Sequence, residues 1–519
     1  MSDDNNDEAS SDEGEQIRVT FKLASEVADR SMEVPSDPIA VPASVGRKGL
    51  AAVINHLLDR RVVRDDTEEN EEDSDEDEDD DKEKLPAIPF DFVLKDNNRL
   101  LRSAVEREAR RYGLSLEKPL AILYFPAQEA PELQEESKAQ PDWISCLSQM
   151  TINKQNDSFL CAASYDGSLT VYQPKMQQPD DEQKEGEVVL HQVASAPEAH
   201  RGPIKCLATM LDPTSSKNQS ILMASGSMDH TLYIHSFDTQ SKQLVKQQIQ
   251  CQHEGYSSAV ASLDFSFKSS DNKAILASGD WDGNLALWDL ADAEPIPSAK
   301  KSKKEGKTSK EASQKLLTPK VLLPQAHFSQ ISGISWGNVH KTNSSNANTL
   351  ITGSWDHSIK AWDMERQECV LSLNGSKVVA CLDTSHFSEG IVATGHPDCN
   401  IRLWDVRVNT NSNNGDTLAV SDKTFRPSHK QWITDVQWSP HNPYHLASTS
   451  HDGTVKVWDI RSPIPLHTVR VFPKTEKGLC LAYGHSATET KKEEGADTVS
   501  LFLGGSDCVV KHFATNNYS

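Results

Sequence analysis

The chain has no long apolar run. No window of its 519 residues approaches the roughly 18 consecutive apolar residues of a membrane-spanning helix, so no membrane partner is expected. The opening MSDDNNDEASSDEGEQ lacks the apolar centre of a signal peptide. Its nine cysteines, scattered from Cys146 to Cys508, never fall as Cys-x-x-Cys. That argues against a disulfide framework and against a zinc site, and it reads as buried thiols in a reducing compartment. Also missing are the Gly-x-x-x-x-Gly-Lys-Ser/Thr phosphate loop, the Gly-x-Ser-x-Gly elbow and His-Glu-x-x-His. The sequence therefore supports no catalytic activity and no resident cofactor. The expectation is a soluble, intracellular protein that is not an enzyme.

Basic residues are scarce, with 53 Lys+Arg against 77 Asp+Glu and a net charge of −24. The imbalance is local. Residues 1–16 carry −7 and Asp65–Glu83 carries −14, which leaves −3 for everything else. Both acidic runs read as disordered, since like charges repel and such segments bury nothing. The near-neutral remainder permits work beside RNA, which the total charge would have argued against. A Lys/Ser-rich stretch, 291–320, crowds Lys300, Lys301, Lys303, Lys304, Lys307 and Lys310 into eleven residues. It reads as a solvated loop, as a nuclear-import signal or as a local RNA contact, and composition leaves all three open.

One pattern recurs from Trp143 onward: SYDGSLTVY (164–172), SMDHTLYIH (227–235), DWDGNLALWD (280–289), SWDHSIKAWD (354–363), HPDCNIRLWD (396–405), SHDGTVKVWD (450–459) and SDCVVKHF (506–513). Each ends in a strand alternating apolar and polar residues, the period of a half-buried strand. Seven instances predict a seven-bladed β-propeller of four-stranded sheets over 143–519, with the Lys-rich insertion between blades three and four. Too little chain follows Phe513 for another strand with its turn; the resemblance of these repeats to the WD-repeat family implies that the blade-closing strand comes from the N-terminal side, within the 127–142 linker.

These residues resemble the WD-repeat family, whose eponymous dipeptide stands at Trp288-Asp289, Trp362-Asp363, Trp404-Asp405 and Trp458-Asp459. The resemblance implies a buried relay of His, Ser/Thr, Asp and Trp: His327, Thr352, Asp356 and Trp362 in blade four; His429, Ser448, Asp452 and Trp458 in blade six; His253, Ser278, Asp282 and Trp288 in blade three. Recurrence in several blades makes these sets structural and not catalytic triads. Blade five lacks the His, and blade seven has Leu503 and Phe513 at the Ser/Thr and Trp positions.

Residues 17–126 do not repeat. IRVTFKL (17–23), a strand near Ser31–Pro35, a helix over 47–59 with Leu50, Val53, Ile54, Leu57 and Leu58 on one face, PFDFVL (89–94), a helical stretch 100–112 and LAILYF (120–125) follow the order of an α+β ubiquitin-like (β-grasp) domain, with 65–83 as an insertion. The chain is thus expected to be multidomain. A ubiquitin-like domain before a propeller resembles the ribosome-assembly factors of the Notchless type, and seven blades with LAAVINHLLD and PFDFVL favour the branch found with pescadillo and Block-of-proliferation.

That resemblance implies a factor in nucleolus and nucleoplasm, acting on pre-60S particles during rRNA maturation. Its propeller would dock on the Block-of-proliferation propeller, with pescadillo held indirectly. Its ubiquitin-like domain would offer a carboxylate to the metal-ion-dependent adhesion site of midasin, an AAA ATPase that pulls assembly factors off the particle. The family context Gly-Leu-Ser-x-Glu stands here at Gly113-Leu114-Ser115-Leu116-Glu117, making Glu117 the ligand in trans to a partner-held Mg²⁺. A carboxylate suits the open octahedral position of that ion. Alternatives are a Notchless-like factor or a signalling or ubiquitin-ligase scaffold. Independently of any family, the residue before each turn Asp should lie on one propeller face. In blades one to four these are Tyr165, Met228, Trp281 and Trp355, large side chains typical of protein interfaces.

Overall fold

The computed structural model describes residues 16–25, 27, 29–60, 86–152, 157–174, 190–213, 220–251, 258–268, 273–295, 315–337, 349–388, 390–406, 423–425, 428–486 and 496–518. The acidic run 65–83 and Lys300–Lys310 lie outside them, as do residues 1–15 of the acidic tail. The chain divides into two compact units, one built mainly of Met1–Glu129 and one of Ala130–Thr488 with Thr498–Thr515.

In the first unit, β1 (Gln16–Leu23) alternates strictly, burying Ile17, Val19, Phe21 and Leu23. It pairs antiparallel with β2 (Ile39–Pro42), and then α1 (Arg47–Leu57) crosses the sheet. The strands β3 (Phe90–Leu94) and β4 (Arg99–Leu100), the helix α2 (Val105–Arg111) and β5 (Leu120–Pro126) follow. The sheet order β2-β1-β5-β3-β4, with β1 and β5 parallel, is the β-grasp arrangement. Leu50 and Ile54 of α1 reach full burial against Phe21, Phe92, Ile122 and Tyr124. Leu57, expected on the buried face, is exposed, and Asn55 is buried instead.

Asn55 explains how the acidic insertion is tolerated. Its amide donates to the Ala51 and Ile88 carbonyls, 2.9 Å each, and its Oδ1 accepts from the Ile88 N–H at 3.0 Å. The side chain therefore pins the chain on both sides of 61–85, and a closed base makes loop length inexpensive. Two local expectations fail. The Ser31–Pro35 segment is no strand: Arg30–Met32 forms a 3-10 turn capped by Asp29. Tyr124 Oη donates to the Met32 carbonyl and accepts from the Val34 N–H, which consumes the groups a strand would pair. The β2 strand begins only after Pro38, where Ile39 pairs with Val19. Leu100 likewise ends β4, and α2 starts five residues later, at Val105.

The second unit is a ring of seven sheets. Blade four is typical: Ile331–Gly337, Thr349–Ser354, Ser358–Asp363 and Glu368–Asn374, each antiparallel to the next. The innermost strands of the other blades are Ile144–Ile152, Ile204–Leu211, Val260–Lys268, Cys381–Thr384, Ile433–Trp438 and Gly478–Ser486. Glu132–Glu136 completes the seventh sheet by pairing antiparallel with Val510–Tyr518. The ring thus joins chain segments nearly four hundred positions apart and leaves no open sheet edge at its seam.

In every blade the residue after the turn Asp has positive φ: Gly167, His230, Gly283, His357, Cys399, Gly453 and Cys508. At Gly283 the reason is visible, since a Cβ would lie 2.2 Å from the His327 carbonyl oxygen.

The insertion 291–320 departs from expectation. It does not separate blades three and four, because Val321–Leu323 is the outer strand of blade three, paired with Leu285–Asp289. Its described ends are not loop either. Lys315–Leu317 adds parallel to Gln243–Cys251 at the edge of blade two, and Glu294–Pro295 pairs with it. Leu317 is fully buried there, which anchors the excursion.

The inner strands surround a cavity of about 260 Å³ bordered by Asp264, Asp383 and Asp435. Each carboxylate accepts a backbone N–H from a neighbouring blade: Trp336 at 2.9 Å, Trp438 at 2.7 Å and Leu481 at 3.0 Å. Burial pushes all three carboxyls up to about 7. They link blades.

Candidate functional site

Glu117 sits on a loop whose shape is set from both sides. The α2 helix ends in a Schellman motif: the Gly113 N–H donates to the Arg110 carbonyl and the Leu114 N–H to the Ala109 carbonyl. Gly113 takes φ +68°, the left-handed conformation that this motif needs. Beyond it, Leu114 and Leu116 turn inward onto the core, while Ser115 and Glu117 point out. The Glu117 N–H donates to Ser115 Oγ at 3.3 Å, and β5 begins at Leu120. The side chain is exposed, and its carboxylate makes no ion pair or hydrogen bond among the described residues. No group of three His, Cys, Asp or Glu that could hold a metal exists among the described residues either. A metal bound by Glu117 would need its other ligands from a partner, as the sequence resemblance implies.

The relay residues come together as fixed internal networks. In blade four, His327 Nδ1 lies 3.0 Å from Asp356 Oδ2, His327 Nε2 lies 2.7 Å from Thr352 Oγ1, and Trp362 Nε1 donates to the same Oγ1 at 2.9 Å. Blade six repeats this with His429, Asp452, Ser448 and Trp458. Burial lowers the affinity of His327 and His429 for a proton, against the pull of their aspartates. Burial raises Asp356 and Asp452, but the His and hydroxyl donors outweigh it and hold both below the usual carboxylate range. The imidazoles are fully enclosed and reach no substrate. In blade three Trp288 donates to Ser278 at 2.9 Å, but Asp282 is exposed and His253 lies outside the described residues.

Two relays escaped the sequence reading. Blade two builds one from His200, Ser225 and His235, with His235 Nε2 2.8 Å from the hydroxyl where other blades place Trp. Blade five does have a histidine. His396 directly follows the second strand, Ile391–Gly395, its Nε2 2.8 Å from Thr394 Oγ1 and its Nδ1 2.7 Å from the Val378 carbonyl. Its place in the chain, directly before Pro397, hid the role. Blade seven fills the space with Leu503 and Phe513, both buried.

The residues before the turn aspartates share one face with the connections between blades. Their N–H groups donate to the residue preceding each first strand: Tyr165 to Trp143, Met228 to Pro203, Trp281 to Ala259, Trp355 to Gln330, His451 to Trp432 and Ser506 to Lys477. Trp281 and Trp355 are 42% and 41% exposed. Tyr165 and Met228 are half-buried. The Tyr165 ring packs edge-on against Trp143 at 5.7 Å, and its hydroxyl accepts from Lys205 Nζ at 3.0 Å. The face carries three further rings that the pattern search missed, because they precede the first strand and not the turn: Trp143, Phe328 and Trp432. Phe328 is 91% exposed, yet its backbone is fixed by an N–H bond to Asp356 Oδ2.

Comparison with known proteins fits this architecture. The WD domain, G-beta repeat, matches residues 192–236, 247–289, 320–363, 367–405 and 420–459. The NLE (NUC135) domain matches 17–107 and stops short of Glu117. The chain is 27% identical over 512 residues to the ribosome biogenesis protein WDR12 homolog of Chlamydomonas reinhardtii, covering 97% of this chain and 99% of that protein. It is 26% identical over 489 residues to the Dictyostelium discoideum homolog, covering 92% and 91%. Against the ribosome biogenesis protein YTM1 of Candida albicans it is 26% identical over 483 residues, covering 88% and 89%. With an NLE domain, WD repeats and end-to-end similarity to these proteins, the chain belongs to the family of Notchless-like WD-repeat ribosome biogenesis factors.

Proposed function

We propose that this ribosome biogenesis factor is a non-catalytic adaptor of the large subunit, working on pre-60S particles in nucleolus and nucleoplasm. Its propeller docks on the Block-of-proliferation propeller, which holds pescadillo, and its β-grasp unit offers Glu117 to the Mg²⁺ of midasin's adhesion site. Pulling by that ATPase then releases assembly factors. The observation that carries the reading is the Glu117 loop: an exposed carboxylate without an internal partner, held by a Schellman turn and two inward leucines. An octahedral Mg²⁺ tolerates little displacement of a ligand, so a pre-set backbone lowers the ordering cost of binding.

The aromatic face supports the propeller half of this reading. Trp281, Trp355, Tyr165 and Met228 occupy four adjacent blades, and Trp and Tyr dominate interface centres. Two measurements test the proposal. Full-length protein should be retained by the isolated metal domain of the ATPase in Mg²⁺, and Glu117→Ala should abolish retention; unchanged retention refutes the metal role. Trp281→Glu with Trp355→Glu should weaken capture of the Block-of-proliferation propeller by more than tenfold without unfolding, and wild-type capture would move the docking surface elsewhere.

A further inference from the structure

We propose that the same propeller face carries a separate site for single-stranded RNA, over blades five to seven, which the protein-docking rim of blades one to four does not use. Three connections between blades meet there. Lys377 lies between the outer strand of blade four and Cys381–Thr384; Lys430 precedes Ile433–Trp438; Lys474 and Lys477 precede Gly478–Ser486. Arg470 ends the outer strand of blade six, its guanidinium 3.4 Å from the Asp452 carbonyl. All five are exposed, and none forms an ion pair among the described residues.

Among the described residues, four carboxylates of this sector are engaged. Asp398 is held by Arg402, Asp452 by His429 and the Lys430 N–H, Asp507 by Lys511, and Glu476 by the Ser506 hydroxyl. By contrast, the turn aspartates of blades one and three, Asp166 and Asp282, remain exposed. Blade two contributes Arg201 and Lys205 to the same face, but the run of exposed cations over three successive connections belongs to blades five to seven.

Amid these cations stands Trp432, 48% exposed and stacked on His451 at 10° between ring planes. The ring centroids are 6.3 Å apart, so the imidazole lies parallel to the indole but offset from it, and the exposed part of the indole is open to a planar group. Lys477 lies close enough to His451 to oppose its protonation, although burial is the larger cause of its lowered proton affinity. The imidazole thus stays a neutral stacking partner. Exposed cations without ion pairs around a half-exposed indole are what phosphates and an unstacked base require, and stacking reads every base alike. An acidic peptide would satisfy the cations but leave the indole platform without a role.

The test uses full-length protein and a short fluorescent oligouridylate, followed by anisotropy over a salt series. Lys377→Ala, Lys430→Ala and Lys477→Ala together should weaken binding at least tenfold and flatten the log–log salt slope by about 2, at roughly 0.7 per phosphate contact. Trp432→Ala should weaken it about tenfold, and Trp432→Phe, which keeps a ring, should restore most of that. These losses must persist in a chain lacking residues 300–310, whose lysines are a separate RNA-binding candidate. Unchanged affinity in the lysine triple variant overturns the site. A polyglutamate peptide that displaces the RNA equally well, with Trp432→Ala neutral, would overturn it in favour of an acidic protein ligand.

Discussion

Thr352 offers the sharpest test of the propeller's internal logic. Its residue is fully buried, and its hydroxyl is the meeting point of His327 Nε2 at 2.7 Å and Trp362 Nε1 at 2.9 Å. Thr352→Val preserves shape and removes only the oxygen. Both ring nitrogens then lose this partner in a fully buried site. Each stranded polar group costs about 1–3 kcal/mol, so the variant should lose about 2–6 kcal/mol. Thr352→Ser keeps the hydroxyl, gives up one methyl and should lose about 1 kcal/mol. Urea unfolding of the full chain, followed by tryptophan fluorescence, measures the difference between the two variants, which is less sensitive to departures from two-state behaviour than either absolute value. The consequence extends to the surface, because the same Asp356 that anchors His327 holds the Phe328 N–H. If Thr352→Val stays within about 0.5 kcal/mol of the wild type, the relay does not hold blade four together and this reasoning fails.

Further outcomes are expected. Glu117→Asp keeps the charge but retracts the carboxylate by about one bond length; capture by the ATPase's metal domain should fall nearly as far as for Glu117→Ala, given the strict geometry of Mg²⁺, and full capture would show that charge alone suffices. Asp383 has a folded pKa of about 7, raised by burial from 3.8, so the stability it contributes is complete below 3.8 and is lost as pH rises through 7. Asp383→Asn should therefore gain on the wild type between pH 4 and 7, and a difference independent of pH in denaturant titrations would contradict this. His396 runs the other way: burial lowers it to about 4, so it favours the fold above 6.5 and that stability fades as pH falls toward 4. Gly283→Ala must fit a Cβ 2.2 Å from a carbonyl oxygen at φ +81°, and should cost about 2 kcal/mol or more. Gly113→Ala meets open space at φ +68° and should cost only about 1–2 kcal/mol, which the same titrations would resolve.

Much of the architecture was legible because it rests on local, repeated signals. Seven turn aspartates, the alternation of IRVTFKL and the Trp-Asp dipeptides each report their structure within ten residues. So does the Glu117 context, since Gly113 ends a helix and Leu114 and Leu116 flank an outward serine. Two of the misses were cases where a distant partner decided the outcome. Ser31–Pro35 lost its strand to Tyr124, ninety positions away in the chain. Lys315–Leu317 joined blade two and not its own neighbours, because Leu317 finds its burial there. The blade-five histidine was overlooked because His396 enters the relay from just after the second strand and not from the loop before the first strand.

The sequence by itself determined the number of blades, the β-grasp order and the concentration of negative charge in two segments, because periodicity and composition are properties of short windows. Only the tertiary structure decided which side chains share a surface. Lys377, Lys430, Lys474 and Lys477 are spread over a hundred residues and mean nothing together until the ring brings three connections to one face. Asp264, Asp383 and Asp435 are isolated letters in apolar strands until ring closure buries them around one cavity, where loss of water, not the residues' own chemistry, shifts their protonation.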